Sequence, residues 1–355
     1  MIGFNILILI ICITLFFCCV DINGKASSKV LLVLMFFIMA FTTDNVDMGG
    51  YLYWYRSINS IWKVGMTDPG FGTLMLLGKT AGLDYYGFLI ALTVLGLTFV
   101  TFVIYKKSDC PAIVLAIYFA LVFPTLTIQI RAFLAETVIY FLIAEIAEHE
   151  KFNVKEFFLL MISAILLHAS AFFFMLLLLI ALVQNQRKFS IIITAAIVAV
   201  PFSAVILRFI PIPMIQAKIG AYFANKATGI SAVYLYVLLY LAVTFLIYYL
   251  DSRTADIEWK GKLKRLLQVN EVGLIACAMI VVFGPNFYRI IRVILIGDAL
   301  VLTNYLYEAG YLKLKNRALY SAIVIGLFLV GNIFTGVLLD LCSNNTVFSA
   351  LLDLN

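Results

Sequence analysis

Charged residues are scarce in this chain of 355 residues: Asp, Glu, Lys and Arg make up 12% of it, against 64% hydrophobic residues. A soluble domain cannot hide that much apolar surface, and long uncharged runs are typical of transmembrane helices. The composition leaves no room for a sizeable soluble domain. The net charge of +6 comes from lysines and arginines gathered in a few loops, which favours membrane orientation over nucleic-acid binding.

Metal ligands are also scarce. The chain has two histidines, and its six cysteines form no CxxC pair. Most of these cysteines lie in apolar runs, so we interpret them as small buried hydrophobic residues. We therefore expect neither a zinc site nor another metal site, and no cofactor.

The first 20 residues lack two features of a signal peptide, a positively charged start and a small-residue cleavage site. We expect them to form a retained first span. Hydropathy then predicts an all-α polytopic membrane protein that forms a single integral-membrane domain over residues 1–355. The predicted apolar segments are 3–20, 28–43, 86–105, 111–128, 130–147, 156–183, 189–209, 232–250, 268–284, 287–307 and 318–340.

One of these apolar runs, 156–183, is too long for a single span, because a bilayer core of roughly 30 Å needs about 20 residues at 1.5 Å each. We predict a hairpin of two short helices that turns near His168-Ala169-Ser170, which gives about 12 spans. The alternative is one tilted helix and an odd number of spans.

Basic residues predict the orientation, because cytoplasmic loops carry an excess of lysine and arginine. Four basic clusters are predicted to be cytoplasmic: Lys25/Lys29, Lys106/Lys107, the loop 251–267, and Lys313/Lys315/Arg317. Arg187 and Lys188 join them if the run 156–183 forms a hairpin. These clusters place both termini outside, together with an acidic and aromatic loop at 44–85. The same topology brings Arg131, His168, Arg289 and Arg292 to the outer side.

Those four residues lie in apolar sequence, where a charge costs about 2.5–3.5 kcal/mol on insertion scales, so they indicate a polar site. Arginine binds phosphate through a bidentate, permanently charged fork. Arg131, Arg289 and Arg292 could together bind a lipid-linked pyrophosphate. The alternative for each is a structural ion pair, and Glu136 is one possible partner for Arg131.

The external loop combines carboxylates with a dense aromatic run at 51–55, followed by an Asp68-Pro69-Gly70-Phe71 turn and a short amphipathic helix over 71–77. The aromatic residues fit an interfacial belt. They also fit a sugar-binding surface, whose candidate residues are Asp44, Tyr51, Tyr55 and Asp68.

A general base is the other group that the sequence offers. His168, followed by Ser170 at the predicted outer turn, could deprotonate a hydroxyl or orient a phosphate. A buried structural histidine is the alternative. Asp47, four residues before Tyr51, is the second candidate base.

The order of these features resembles the EpsG family, the Wzy-like polymerases of bacterial exopolysaccharide, capsule and O-antigen. The resemblance covers roughly residues 40–295. It is carried by Asp47-x-x-x-Tyr51, Asp68-Pro69-Gly70-Phe71, Ile130-Arg131-Ala132-Phe133-Leu134-Ala135, His168-Ala169-Ser170-Ala171 and Phe287-Tyr288-Arg289. Asp68 stands where the family form of that turn has Glu, a conservative change.

The resemblance implies a metal-independent membrane glycosyltransferase of GT-C-like polymerase or ligase architecture. Such enzymes join oligosaccharide repeat units carried on undecaprenyl pyrophosphate at the outer face of the bacterial cytoplasmic membrane. Expected partners are the lipid-linked donor and acceptor, the bilayer and a chain-length regulator, with no nucleic acid and no nucleotide sugar.

Two other functions stay open. A lipid-linked oligosaccharide flippase would share the substrate, but it should show internal repeats and charges that reach both leaflets. The sequence shows no repeat, and its candidate residues gather on one predicted side. An O-antigen ligase uses the same donor and differs in its acceptor.

Overall fold

The structure is a computed structural model that describes residues 2–21, 24–41, 47–60, 68–150, 153–183, 185–208 and 230–335. Within these ranges it is helical and contains no strand, which confirms the all-α fold. The α-helices are α1 (Ile2–Val20), α2 (Lys25–Ala40), α3 (Met48–Ser57), α4 (Pro69–Thr80), α5 (Tyr85–Lys107), α6 (Pro111–Leu121), α7 (Phe123–Ile128), α8 (Ile130–Glu148), α9 (Val154–Leu167), α10 (Leu178–Leu182), α11 (Gln186–Arg208), α12 (Ile230–Arg253), α13 (Ile257–Phe283), α14 (Tyr288–Glu308) and α15 (Leu314–Thr335). Two 3₁₀ helices occupy Ala169–Leu177 and Pro285–Phe287.

Among the described residues, five helical segments are long and apolar enough to cross a membrane, as expected for a membrane protein. They are Tyr85–Lys107, Gln186–Ser203, Val233–Arg253, Ile257–Phe283 and Pro285–Glu308. Shorter apolar helices cover Leu7–Val20, Pro111–Leu121, Ala169–Leu182 and Asn316–Gly331. The total of about 12 spans and the GT-C-like arrangement remain predictions.

The apolar run 156–183 is interrupted at the predicted place. α9 ends at Leu167, His168 lies outside any helix, and the 3₁₀ helix starts at Ala169. A single continuous α-helix over this run is therefore wrong. The reversal of chain direction that the hairpin requires stays a prediction.

The predicted loops contain more helix than expected. The described part of the external loop 44–85 includes α3 and α4, and α4 extends the predicted 71–77 helix at both ends. Pro69 is its first residue. Proline lacks a backbone N–H, and the N–H at this position would have no partner within the helix in any case. The predicted basic loop 251–267 has only three non-helical residues, 254–256. Asp256 caps the start of α13 by accepting hydrogen bonds from the backbone N–H groups of Glu258 and Trp259, so the helix begins early in this segment.

The chain divides into two compact units, and the prediction of a single membrane domain remains untested. Unit 1 comprises Met1–Phe141, Leu160–Phe172 and Leu302–Asn355. In it, α1, α2, α6 and α15 pack against one another, and α5 packs on α2 and α6. α3 packs on α4, which in turn packs on α5.

Hydrogen bonds join the basic segments at one end of unit 1. Asn304 donates to the carbonyl of Lys107 at the end of α5 and accepts from the backbone of Asp109. Arg317, at the start of α15, donates to the carbonyl of Val20 at the end of α1. These contacts satisfy carbonyls that have no partner inside their own helix.

Unit 2 comprises Leu142–Leu159 and Phe173–Val301, and α13 packs against α10, α11 and α12. A buried polar network crosses its helices. Asn270 on α13 donates to Asp298 of α14 over 2.7 Å and accepts from Thr244 of α12 over 3.0 Å. Its carbonyl accepts from the Tyr240 hydroxyl. Networks of this kind fix helix register, because a misaligned helix would leave buried polar groups without partners.

Candidate functional site

The Asp68-Pro69-Gly70-Phe71 segment builds a rigid corner in unit 1. Phe71 is fully buried, and its ring centre lies 6.1 Å from that of Tyr51 and 6.0 Å from that of Trp54. Gly70 faces Leu166 at the end of α9, where an added Cβ would lie 3.0 Å from backbone atoms. A glycine here lets α4 begin against the end of α9. Asp68 is thereby held beside the segment that follows α9.

Asp68 is buried, with 2% of its surface exposed, and its carboxylate forms an ion pair with Arg131 at the start of α8. Arg131 also donates from Nε to the Tyr51 hydroxyl over 3.2 Å. A buried carboxylate needs such a partner, because its charge is costly away from water. The Arg131 side chain keeps 32% of its surface exposed, so a ligand can reach part of it.

The other carboxylate oxygen of Asp68 holds the break after α9. Oδ1 accepts a hydrogen bond from the backbone N–H of Ala169 over 2.7 Å, and His168 Nδ1 lies 3.5 Å from the same oxygen. The contact with Ala169 is a strong hydrogen bond. The contact with His168 is within the range of an ion pair but is long for a hydrogen bond. Asp68 therefore fixes Arg131 with one oxygen and the His168-Ala169 segment with the other.

The environment keeps Asp68 charged. Burial raises the pKa of its carboxyl group, but the contacts from His168, the Ala169 N–H and the Arg131 guanidinium outweigh that effect, so the net pKa is lowered. Because the folded-state pKa lies below the unfolded one, its stabilising contribution is complete above the unfolded pKa. The contribution is lost as pH falls through the folded pKa. The ion pair is thus intact near neutral pH.

His168 is mostly buried, with 15% of its side chain exposed. Its Nδ1 edge faces the Asp68 carboxylate, so Nε2 lies on the opposite edge of the ring. A carboxylate beside Nδ1 favours the tautomer with the proton there, which leaves Nε2 as a proton acceptor. The arrangement is that of a histidine beside a carboxylate, with Nδ1 and Oδ1 farther apart than in a formed hydrogen bond.

The aromatic run of α3 turns the two predicted sugar-binding tyrosines inward. Tyr51 and Tyr55 are buried, because their i, i+4 spacing places both on the inner face of the helix. Tyr55 packs on Tyr85 and Phe88 and donates to the carbonyl of Leu83 over 2.8 Å. Tyr53 is instead 76% exposed. The structure thus gives Tyr51 a contact with Arg131 and Tyr55 a packing role, and sugar binding by either residue stays a prediction.

The predicted carboxylates of the site lie in different environments. Asp68 is buried and contacts Arg131 and the Ala169 N–H, and sugar binding by it stays a prediction. Asp47 is exposed and directly precedes α3, where its carbonyl accepts from the backbone of Tyr51 over 3.1 Å. Its role as an alternative base stays a prediction. Asp44 lies outside the described residues.

Arg289 and Arg292 belong to unit 2, in the first turns of α14. Arg292 is fully buried, and its guanidinium carbon lies 5.7 Å from the centre of the Tyr288 ring. Arg289 is half-buried, and its Nε has no hydrogen-bond partner among the described residues. A common pyrophosphate site with Arg131 stays a prediction. Arg131 itself pairs with Asp68, while Glu136 accepts a hydrogen bond from Tyr140.

Two positioning groups were not predicted from the sequence. The Ala169 donor is a backbone N–H, so no residue type in the sequence indicates it. Lys79 donates to the carbonyls of Tyr55, Arg56 and Ile58, over 3.2, 2.8 and 2.7 Å, and so completes the C-terminal end of α3. A lysine in the last turn of α4 was the available sequence signal, but its partner lies on a different helix.

In the part of the chain that the structure describes, one group could hold a metal ion: Glu145, Glu148 and His149 near the end of α8. His149 Nε2 lies 3.1 Å from Glu145 one turn earlier, which is a common helical pair. The group is separate in sequence from the Asp68 cluster and belongs to unit 2. Such surface groupings are common without an ion, and the Asp68 cluster contributes no residue to it.

The close approach at Gly70 can be tested by substitution. Gly70→Ala should destabilise the protein by about 1–3 kcal/mol, because the new methyl group meets backbone that cannot rotate away. Gly50→Ala is the matched control, since a Cβ there meets nothing within 4 Å and alanine favours a helix. Thermal unfolding in detergent should show a lower Tm for the first variant only. Equal Tm values would contradict the proposed tight corner.

No curated protein and no solved structure matches this chain. The sequence model of the EpsG family matches residues 25–344, which is nearly the whole chain. This match includes all the candidate site residues discussed above. The family match thus agrees with the resemblance carried by the order of the sequence motifs. The chain belongs to the EpsG family.

Proposed function

We propose that the protein is a metal-independent membrane glycosyltransferase that polymerises oligosaccharide repeat units carried on undecaprenyl pyrophosphate. The product would be O-antigen, capsule or exopolysaccharide. Membership in the EpsG family supports a polysaccharide-polymerase-like role. The observation that carries the proposal is the cluster in which one buried carboxylate, Asp68, orients both an accessible arginine and a histidine.

Arg131 is the proposed binding group for the donor pyrophosphate. A guanidinium has five N–H donors, and the described contacts use Nε and one position on Nη1. The remaining N–H groups can bind a phosphate oxygen while Asp68 and Tyr51 keep the fork fixed. A fixed donor costs no reorganisation when charge develops on the leaving group. Arg289 and Arg292 are proposed to add positive charge to the same pyrophosphate.

His168 is the proposed general base. Its Nε2 takes the proton of an acceptor sugar hydroxyl, and the hydroxyl oxygen forms a bond to the anomeric carbon of the donor. The bond between that carbon and the pyrophosphate oxygen breaks, and the electron pair leaves with undecaprenyl pyrophosphate. The growing chain is thereby transferred from its lipid to the next repeat unit. Asp47 is the second candidate for the base.

Asp68 is proposed as a positioning residue, so its loss should act through Arg131 and His168. Asp68→Asn should lower polymer formation roughly 10- to 100-fold, because a hydrogen bond to a charged group contributes about 1.5–3 kcal/mol. Asp68→Glu restores the charge and should recover part of the activity. A Tm measurement separates positioning from unfolding. Activity of Asp68→Asn equal to that of the unchanged protein, at equal protein level, would exclude the positioning role.

We further propose that the site faces outside in a multi-pass protein of about 12 spans with GT-C-like architecture, located in the bacterial cytoplasmic membrane. Within unit 1, α5 supports this orientation. Its first residue, Tyr85, packs on Tyr55 of the site-bearing helix α3, while its last residue, Lys107, is bound by Asn304. A helix of 23 residues is roughly 34 Å long. The site therefore lies at the opposite end of α5 from the basic cluster at Lys106 and Lys107.

A genetic experiment separates this function from the two alternatives. We expect a strain without the protein to carry single repeat units on its surface, and the unchanged chain to restore long polymer. A complete loss of surface glycan would indicate a flippase. Accumulation of long polymer on undecaprenyl pyrophosphate would indicate a ligase. Either of these results would overturn the proposed polymerase. A chain-length regulator is the expected partner in the same assay.

A further inference from the structure

Unit 2 contains a pocket that the proposed polymerase reaction does not use. It has a volume of about 590 Å³ and lies among α11, α12 and α13. Its polar lining comes from the start of α11, the end of α12 and the first half of α13, and includes Gln186, Asp251, Lys264 and Glu271. The first turn of α11 and the basic segment of α13 belong to the predicted cytoplasmic side.

The polar lining includes the carboxylates of Asp251 and Glu271, together with Lys264 and several hydroxyl groups. Glu271 accepts from Gln186 Nε2 over 2.8 Å and from Ser190 Oγ over 3.0 Å. Asp251 Oδ1 and Gln186 Oε1 are buried and have no hydrogen-bond partner among the described residues. Buried oxygens of this kind need a donor, because an unmade hydrogen bond leaves their desolvation uncompensated. A ligand that brings several N–H groups would complete the pocket.

The charges of the lining indicate which kind of donor fits. Two carboxylates, Asp251 and Glu271, attract a cation, whereas Lys264 attracts an anion in addition to its attraction to Asp251. The ligand should therefore carry both charges, with the positive one bearing N–H groups. A primary ammonium joined to a phosphate meets these requirements.

The apolar part of the lining identifies where the rest of the ligand lies. Leu241 and Phe245 on α12 line the pocket and are 43% and 69% exposed. Both belong to the candidate membrane span Val233–Arg253, so their exposed faces suit hydrocarbon chains. A polar pocket that continues into an apolar surface on a membrane span fits a phospholipid better than a soluble metabolite.

We propose that this pocket binds the headgroup of an aminophospholipid, phosphatidylethanolamine. The ammonium donates to Asp251 Oδ1, Gln186 Oε1 and the Glu271 carboxylate, and the phosphate pairs with Lys264. The acyl chains lie along Leu241 and Phe245. Phosphatidylcholine has the same charges but no N–H donor on its nitrogen. Phosphatidylglycerol lacks the cation and would bring a negative charge to two carboxylates.

The experiment measures lipid retention by native mass spectrometry on the purified full chain in detergent. The probes are dioleoyl phosphatidylethanolamine, its monomethyl and dimethyl derivatives, and dioleoyl phosphatidylcholine. This series keeps the acyl chains and the charge while it removes N–H donors one at a time. We expect retention to fall at each methylation, with at least a fivefold difference between the two ends. Equal retention of the first and last lipid would overturn the proposal.

Variants tie the preference to the pocket. Asp251→Leu keeps a side chain of similar size but removes the oxygen that accepts the N–H group, so it should remove much of the preference for phosphatidylethanolamine over phosphatidylcholine. Lys264→Gln should weaken retention of phosphatidylethanolamine several-fold. Lys262→Gln is the matched control, because Lys262 pairs with Glu258 and does not line the pocket. A preference unchanged in Asp251→Leu, with the Tm also unchanged, would place the lipid elsewhere. These outcomes do not depend on polymerase activity.

Discussion

Arg131→Ala is expected to reduce polymer formation by about 10²- to 10³-fold, because removing one preorganised donor to developing charge costs about 2.7–4 kcal/mol. The substitution also leaves the Asp68 carboxylate without its cation. Arg131→Lys restores a charge but not the fork that contacts both Tyr51 and Asp68, so it should recover only a small part of the activity. Polymer length and amount are measured on surface glycan resolved by gel electrophoresis, at equal membrane insertion.

Arg56→Ala is the control for this prediction. Arg56 is an exposed arginine near the end of α3, and the described contact at that residue uses its backbone carbonyl, which the substitution keeps. It should form normal polymer. Normal polymer from Arg131→Ala would remove Arg131 from the donor site and leave its pair with Asp68 as a structural contact.

His168→Ala should reduce polymer formation by about 10²- to 10⁴-fold, the usual contribution of a positioned general base. His168→Gln places an amide N–H donor beside Asp68 but cannot accept a proton, so it should be about as inactive as the alanine variant. This comparison separates base catalysis from the structural contact. Because the lowered pKa of Asp68 keeps that carboxylate charged near neutral pH, its protonation should not contribute to any pH dependence there.

The chain supplies a matched control in its other histidine. His149 is exposed and pairs with Glu145 near the end of α8, so His149→Ala should leave polymer formation unchanged. Full activity of His168→Ala would exclude an essential base at this position. Asp47→Asn would then be the decisive variant, since Asp47 is the remaining candidate.

The sequence predicted those parts of the site that follow from local rules. The break at His168 follows from the length of the apolar run, which exceeds one span. The helix after Asp68 follows from a proline at its first position. Charged residues within apolar segments indicated a polar site, and three of the predicted site residues, Asp68, Arg131 and His168, do lie together.

The roles of individual residues could not be predicted, because burial depends on which helices pack together. Tyr51 and Tyr55 were expected to face a sugar, but the packing of α3 on α4 turns both inward. Asp68 was expected to bind sugar, but the close approach at Gly70 encloses it beside Ala169. A backbone N–H donor such as that of Ala169 leaves no trace in a sequence.

The basic segment 251–267 shows a different limit of sequence reasoning. Its lysines predicted a loop on the cytoplasmic side, because charge ends a hydropathy-defined span. Lysine and arginine are also good helix formers, and the cap at Asp256 starts the helix well before the apolar part. Arg265 then donates to the carbonyls of Ala147 and Glu148 at the end of α8. Hydropathy therefore predicts where an apolar span begins but does not mark where the helix begins.

The most direct test of the proposed function is polymerisation in vitro. Purified protein is incubated with a defined undecaprenyl-pyrophosphate-linked repeat unit in the presence of a metal chelator, and the products are resolved by length. We expect a ladder of multiples of the repeat unit from the unchanged protein and only the starting unit from Arg131→Ala. A substrate that stays at one repeat unit with the unchanged protein, or an equal ladder from Arg131→Ala, would contradict the proposed function of the Asp68–Arg131–His168 cluster.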